Sequence, residues 1–306
     1  MKQGRTQHLV GYMMVAMATL LFGVNASLSR PLLGNGISPL TLVEFRMLIG
    51  AIVLFVFLLV WRRNLLKLPS GNWGWIIVFG LCLAMVTYAY ILASGRLPLA
   101  MVSVILFSAP AWMALVEAIW QKRSPSPPVI VAIVLTLGGV ILVTGVWQQS
   151  FNGLDGLGIL YALLTMLSYI AYLLSGRRVG RTLPALISTS YGALVACIFC
   201  LVVQPPWLIP ATIWQPQYFL LLLLTGTIGM ALPFSLVLAA LRHTDATRVG
   251  IANTLEVVTT SVLAYFWLGQ HLTIWQTIGC ILVPIGVIIL QYEQQRSAAD
   301  EALIGP

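Results

Sequence analysis

A glutamate and an arginine sit deep inside apolar stretches of this sequence, where a charge needs a partner or a purpose. Glu256 stands about ten residues into an apolar run, roughly 15 Å along a helix that rises 1.5 Å per residue. A charge within a membrane span costs at least ~2.5–3.5 kcal/mol on insertion scales, and near the midplane snorkelling does not easily relieve it. Arg46 lies about seven residues into another run, near 10 Å depth on the same measure. Glu44 is two positions from Arg46, so on a helix the two point to different faces. Two readings of each deep charge stand. Glu256 lines a solute cavity, or it is locked in an interhelical hydrogen bond. Arg46 reaches that cavity and holds an anionic group, a substrate carboxylate or Glu256 itself, or it snorkels outward to headgroups.

Aromatic and small polar residues at comparable depths complete the candidate substrate-binding set: Phe22, Asn25, Tyr88, Ser108, Trp112, Tyr169, Tyr172, Phe234 and Asn253. Apolar walls with a few polar points suit amphipathic solutes such as amino acids. The bland alternative is that these aromatics pack the interior or form an interfacial belt. Catalysis is not expected. The sequence has no HExxH, no paired acids and no Gly-rich phosphate loop. Cys197 and Cys200 form a CxxC inside an apolar run with no second pair or His nearby, so they read as packing residues, and no cofactor or metal is expected. His8, His243 and His271 all lie at or outside span edges, so no His stands at depth as a proton relay.

The elements that must position these residues follow from composition. Of 306 residues, 59% are hydrophobic and 8% charged, too few charges to cover a soluble domain of this length. The apolar residues come in continuous blocks rather than alternating, which selects helices spanning a bilayer over barrel strands. The spacing predicts an all-α polytopic membrane protein with ten transmembrane helices near 9–29, 39–61, 73–94, 99–120, 127–147, 154–175, 184–203, 217–241, 246–268 and 272–292. Only the first ten residues and the tail after Tyr292 read as loose. The first span is too long, and too quickly followed by others, for a cleaved leader.

Net charge is +8, and its placement describes topology rather than nucleic-acid binding. Lys2, Arg5, Arg62, Arg63, Lys67, Lys122, Arg123, Arg177, Arg178, Arg181, Arg242 and Arg296 all fall on one side of the ten spans, against Arg30 and Arg96 on the other. The positive-inside rule makes the basic side cytoplasmic, with both termini there, in a multi-pass protein of the cell (inner) membrane. The expected partners are the lipid bilayer and a small-molecule substrate, with the chain a monomer or homodimer.

The chain also repeats itself. At an offset of 147, Gly11 falls on Gly158, Arg30 on Arg177, Trp120 on Trp267 and Gly139 on Gly286; at 146, Gly80 falls on Gly226 and Arg96 on Arg242; at 145, Pro39 falls on Pro184. The halves are 1–150 and 151–295, followed by a cytoplasmic tail at 296–306. Five spans per half is an odd number, so the second half must enter the bilayer from the opposite side. Inverted repeats of this kind let two halves rock about a midplane site. At offset 146 Glu256 falls on Pro110, which would loosen its helix at the depth of the buried acid and act as a hinge. Tight helix contacts are expected at Gly138, Gly139, Gly226 and Gly229.

With those residues in place, the sequence resembles the EamA-type pattern of drug/metabolite transporters. The resemblance is carried by ATLLFGVN on the first span, RMLIGAIVLFVFLL from Arg46, PLAMVSVILFSAPAWMALVEAIW on the fourth, and the stretch from Asn253-Thr254-Leu255-Glu256 through Leu268-Gly269 to Ile285-Gly286-Val287. Val257 stands where that family commonly has Pro, and Gln270 where it commonly has Glu. The resemblance implies ten helices, cytoplasmic termini and transport of amino acids, related metabolites or drugs, often outward. The expected function is a secondary transporter, exporter or facilitator, of small organic metabolites such as amino acids or amphipathic compounds. A proton-coupled multidrug antiporter is the alternative, and a non-transporting receptor or assembly factor is the rival from another class.

Overall fold

The computed structural model describes residues 2–63, 70–122, 124–149, 154–205, 213, 215–269 and 271–304, so Lys67, Arg123 and Gln270 fall outside the described residues. Among the described residues every long element is a helix: α1 (Lys2–Gly34), α2 (Pro39–Trp61), α3 (Trp73–Ser94), α4 (Leu99–Phe107), α5 (Ala109–Gln121), α6 (Pro127–Thr144), α7 (Gly156–Gly180), α8 (Ala185–Val203), α9 (Pro216–Gly226), α10 (Leu232–Ala240), α11 (Ala246–Asn253), α12 (Leu255–Leu268) and α13 (Ile274–Ile304). They make 10 spans long and apolar enough to cross a membrane, the fourth being α4 with α5, the eighth α9 with α10, and the ninth α11 with α12. The two ends that composition marks as loose are helical extensions, since α1 begins at Lys2 and α13 runs to Ile304.

Local chemistry sets the boundaries. Proline, whose missing N–H costs nothing in a first turn, opens α2, α6 and α9. Ser38 caps α2 by accepting from the Thr41 amide at 3.1 Å, and Asp155 caps α7 by accepting from the Leu157 amide at 3.0 Å. At their far ends α5 and α12 stop on left-handed residues, Lys122 (φ 51) and Gly269 (φ 62), which are repeat equivalents.

The packing of glycines reveals how the halves are related. A Cβ on Gly139 of α6 would stand 2.6 Å from Val283 Cγ2 and 3.1 Å from the Gly279 carbonyl of α13. A Cβ on its equivalent, Gly286 of α13, would stand 2.8 Å from Thr136 Cγ2 and 3.0 Å from the Ala132 carbonyl of α6. The equivalents of Thr136 and Ala132 are Val283 and Gly279, so the contact is reciprocal. The same exchange relates Gly158, which meets Arg96 and Leu97, to Gly11, which meets His243 and Thr244. It recurs where Gly80 of α3 meets Val195 of α8 and Gly226 of α9 meets Ile49 of α2. A set of contacts that maps onto itself when the halves are exchanged is a two-fold relation. With five spans in each half, the two-fold inverts one half against the other. Close glycine contacts of this type are how helices associate where lipid supplies no hydrophobic drive. Gly138 is not among them, because a Cβ there would meet nothing within 4 Å.

The fourth and ninth spans break at the same repeat position. Ser108 separates α4 from α5 and Thr254 separates α11 from α12, at an offset of 146. In each, the hydroxyl turns back on the carbonyl three residues earlier: Ser108 Oγ donates to Ile105 at 2.7 Å and Thr254 Oγ1 to Ile251 at 2.6 Å. Such back-bonding competes with the helix ladder and bends it. The sequence points to Pro110 as the cause of loosening, but the ninth span breaks without a proline, so the hydroxyl is the feature the two breaks share.

Candidate functional site

The ninth span divides into a closed half and an open half. Every residue of α11 except Arg248 is buried, whereas most of α12 up to Leu263 keeps partial exposure, as does most of α4. The closed half is sealed where Pro110 and Met113 of α5 press on Gly250 of α11: a Cβ on Gly250 would stand 3.2 Å from Pro110 Cγ and 3.0 Å from Met113 Cε. Beyond the breaks, toward the end where α2 begins and α3 finishes, most residues of α4 and α12 stay partly exposed, and this side is the candidate cleft. We call that the charge-poor end, and the end carrying both termini the basic end.

Glu256 enters this cleft from the first turn of α12, just beyond the break. Arg46 enters from the second turn of α2. The two lie within electrostatic reach of each other, and both keep part of their surface open although they stand well inside the bundle. No ion pair closes between them, and Arg46 Nε has no hydrogen-bond partner. Arg46 therefore faces the interior rather than headgroups, and Glu256 is not locked in an interhelical hydrogen bond. Two uncompensated charges at this depth are costly unless water or a solute completes them.

An aromatic floor packs into the main core of the bundle. Phe22 of α1 meets Phe234 of α10 edge to face at 5.2 Å, Phe234 meets Tyr172 of α7 at 5.8 Å, and Tyr172 stacks on Tyr169 at 6.2 Å and on Phe79 at 5.3 Å. Asn253, the last residue of α11, donates from Nδ2 to the Tyr169 hydroxyl at 2.6 Å. The structure thus joins five of the residues singled out from sequence, on four different spans, into one continuous cluster, in which Phe22 and Phe234 keep partial exposure while Tyr169, Tyr172 and Asn253 are buried. Asn25 is buried beside it, against Gly229 of the π-turn Thr227–Ala231, where no Cβ would fit. Such a turn leaves irregular backbone at membrane depth, a feature that recurs at functional sites. Asn25 Oδ1 has no partner there.

Other expectations land elsewhere. Tyr88 packs edge-on against Phe199 of α8 at 6.1 Å, and the Ser108 hydroxyl at the break also approaches Met166 Sδ at 3.3 Å. Trp112 is not brought to the cleft. It is 51% exposed on the outer face of α5, beside exposed Leu115 and Val116. Tyr90 was not singled out from sequence, yet it lies beside Ser103 within reach of Glu256. Its signal is absent from the chain because an aromatic in an apolar span reads as packing, and its repeat equivalent is Leu236. Cys197 and Cys200 are buried free thiols, as their setting in an apolar run implied.

Ten spans in two inverted halves, with the fourth and ninth broken at matched positions, define a membrane transporter architecture. The chain belongs to the EamA-like transporter family, whose model matches it twice, over residues 9–145 and again over 156–292. The threonine/homoserine exporter RhtA of Escherichia coli (strain K12) is 27% identical over 290 residues, covering 90% of this chain and 87% of that one. The uncharacterized transporter YwfM of Bacillus subtilis (strain 168) is 25% identical over 300 residues, covering 94% of this chain and 96% of that one. A chain of known crystal structure shares the fold with a TM-score of 0.77 at 17% identity, over 95% of this chain and 98% of that one.

Proposed function

We propose that this chain is a secondary transporter of small organic metabolites, amino acids foremost, that works by alternating access in the cell (inner) membrane with both termini in the cytoplasm. The observation that carries the substrate class is the unclosed pair of Arg46 and Glu256 in one cleft. An amino acid is a zwitterion. Its carboxylate suits the guanidinium of Arg46, which offers paired donors, its ammonium suits Glu256, and its side chain suits the partly exposed rings of Phe22 and Phe234. A solute carrying both charges completes both groups at once, whereas a simple anion or cation leaves one of them unpaired. The names of the relatives, an exporter of threonine and homoserine among them, agree with this class. No chemical conversion is assigned to the cleft. The proposed assembly is a monomer or a homodimer.

The experiment is exchange of radiolabelled threonine across proteoliposomes holding the purified chain, competed by a panel of amino acids and by their decarboxylated and esterified analogues. Exchange that both analogue types fail to inhibit supports recognition of a zwitterion. Sealed vesicles that show no flux of any amino acid or metabolite in the panel overturn the transport reading. A second reading, proton-coupled antiport of cationic amphipathic drugs, draws on the same Glu256, which has no fixed cation partner. Flux that follows an imposed pH gradient and disappears when the gradient is collapsed favours it.

A further inference from the structure

The two ends of the bundle are built from equivalent elements but are not closed by equivalent chemistry. At the basic end Arg248, in the first turn of α11, donates from Nη1 to Asp245 Oδ2 at 2.6 Å and from Nη2 to Glu293 Oε2 at 2.7 Å. Asp245 Oδ1 also caps α11 by accepting from the Arg248 amide at 2.9 Å, and Glu293 Oε1 accepts from Ser126 Oγ at 3.1 Å. Next to this, Thr244 Oγ1 donates to Gln294 Oε1 at 3.1 Å. The cluster ties the start of the ninth span to the tenth span and to the residue that precedes α6. Its charged side chains keep only 15–22% of their surface, so the pairs are better shielded from water than surface pairs, whose median contribution is small.

The repeat places Leu99 and Val102 at the positions equivalent to Asp245 and Arg248, and Val146 and Thr273 at those equivalent to Glu293 and Ser126. None of the four is charged. Val102 packs instead into an apolar cluster with Ala93, Leu97 and Ala162.

We infer that Asp245, Arg248, Glu293 and Ser126 form an ionic latch that holds the basic end shut and biases the resting chain toward the state open at the charge-poor end. Its use in transport rests on the proposed function; the latch itself is a statement about α11. In an inverted repeat, opening the basic end gives α11 the partly open setting that α4 has here. Arg248 must then leave Glu293 on α13, and the four equivalent positions at the opposite end supply no ion pair in return; the Arg96–Asp155 pair there is exposed and joins other positions. The difference in chemistry between the ends tilts the equilibrium between them.

Hydrogen–deuterium exchange of the full chain in lipid nanodiscs, with no substrate added, tests this directly. Glu293→Gln keeps the side chain's size and an acceptor for Ser126 but removes its charge. Arg248→Gln removes the other. Both are expected to speed exchange in residues 246–253 at least tenfold, with residues 99–107 unchanged or slower and the α7 core unchanged. Parental rates over 246–253 in both variants overturn the latch. Acceleration spread equally over α7 overturns it as well, because it marks general loosening. Threonine exchange measured on the same samples keeps the two readings apart: a parent chain that moves no solute strikes the transport reading and leaves the exchange result standing.

Discussion

The side-chain amide of Asn253 reaches from the last residue of α11 to the hydroxyl of Tyr169 on α7, at 2.6 Å in the buried interior. It is a polar fastening at the point where the ninth span breaks, with the floor of the cleft on one side and the closed half on the other. Tyr169→Phe leaves that amide without its partner, and Asn253 Oδ1 is already without one. The expected cost is about 1–3 kcal/mol, the usual penalty for an orphaned buried donor. A double-mutant cycle with Asn253→Ala checks it: the double variant is expected to melt well above the temperature that the summed single losses imply.

Arg46 and Glu256 make a contrasting pair, near enough to interact but not joined. Removing either charge strands the other, so Arg46→Met and Glu256→Gln are each expected to lower stability and abolish threonine exchange. The double variant is expected to regain about 0.5–3 kcal/mol relative to the sum of the singles while remaining inactive. Melting temperatures and exchange rates on the same preparations separate the structural part from the binding part. Full flux in both single variants, or in Arg46→Lys and Arg46→Ala together, would remove Arg46 from the site.

Adjacent glycines on α6 give a controlled test of helix packing. Gly139→Ala forces a methyl against Val283 and the Gly279 carbonyl, for an expected loss of about 1–3 kcal/mol. Gly138→Ala meets open space and is expected to be neutral or to gain up to ~1 kcal/mol from helix propensity. Gly286→Ala, the repeat equivalent of Gly139, is expected to lose as much as Gly139→Ala. Thermal unfolding of the three variants in detergent gives the comparison.

Glu44 is 2% exposed and neither carboxylate oxygen has a hydrogen-bond partner. Replacing such a group by an apolar one of similar length relieves its desolvation, so Glu44→Met is expected to stabilise the chain by about 1–3 kcal/mol. A higher melting temperature with full threonine exchange makes Glu44 structurally dispensable. A higher melting temperature with lost exchange gives it a part in transport.

The exposed Arg96–Asp155 pair at the charge-poor end carries a pH dependence of known sign. The hydrogen bond from Arg96, 2.7 Å long, together with the Leu157 amide, holds the Asp155 carboxyl below the usual aspartate range. A depressed value means that its contribution is complete above the unfolded pKa of ~3.9 and lost as pH falls through the folded one. Asp155→Asn preserves a good N-cap for α7, so it isolates the charge. The variant is expected to melt slightly below the parent at pH 7 in low salt. The difference should shrink in 1 M salt and vanish at pH 2.

The sequence by itself determined the ten spans, their division into two halves and the level at which charge enters the interior. It could do so because backbone satisfaction in lipid demands long apolar helices, and because repeat equivalents such as Gly139 and Gly286 keep their spacing along the chain. Only the tertiary structure decided which way each side chain faces. Trp112 turned outward and Tyr90 inward on spans whose composition is apolar all round, so no periodic stripe marks a face. Arg46 and Glu256 lie 210 positions apart, and the reciprocal packing of the halves, rather than any local pattern, sets them across one cleft. The same holds for Arg248 and Glu293, which meet only because α11 closes onto α13.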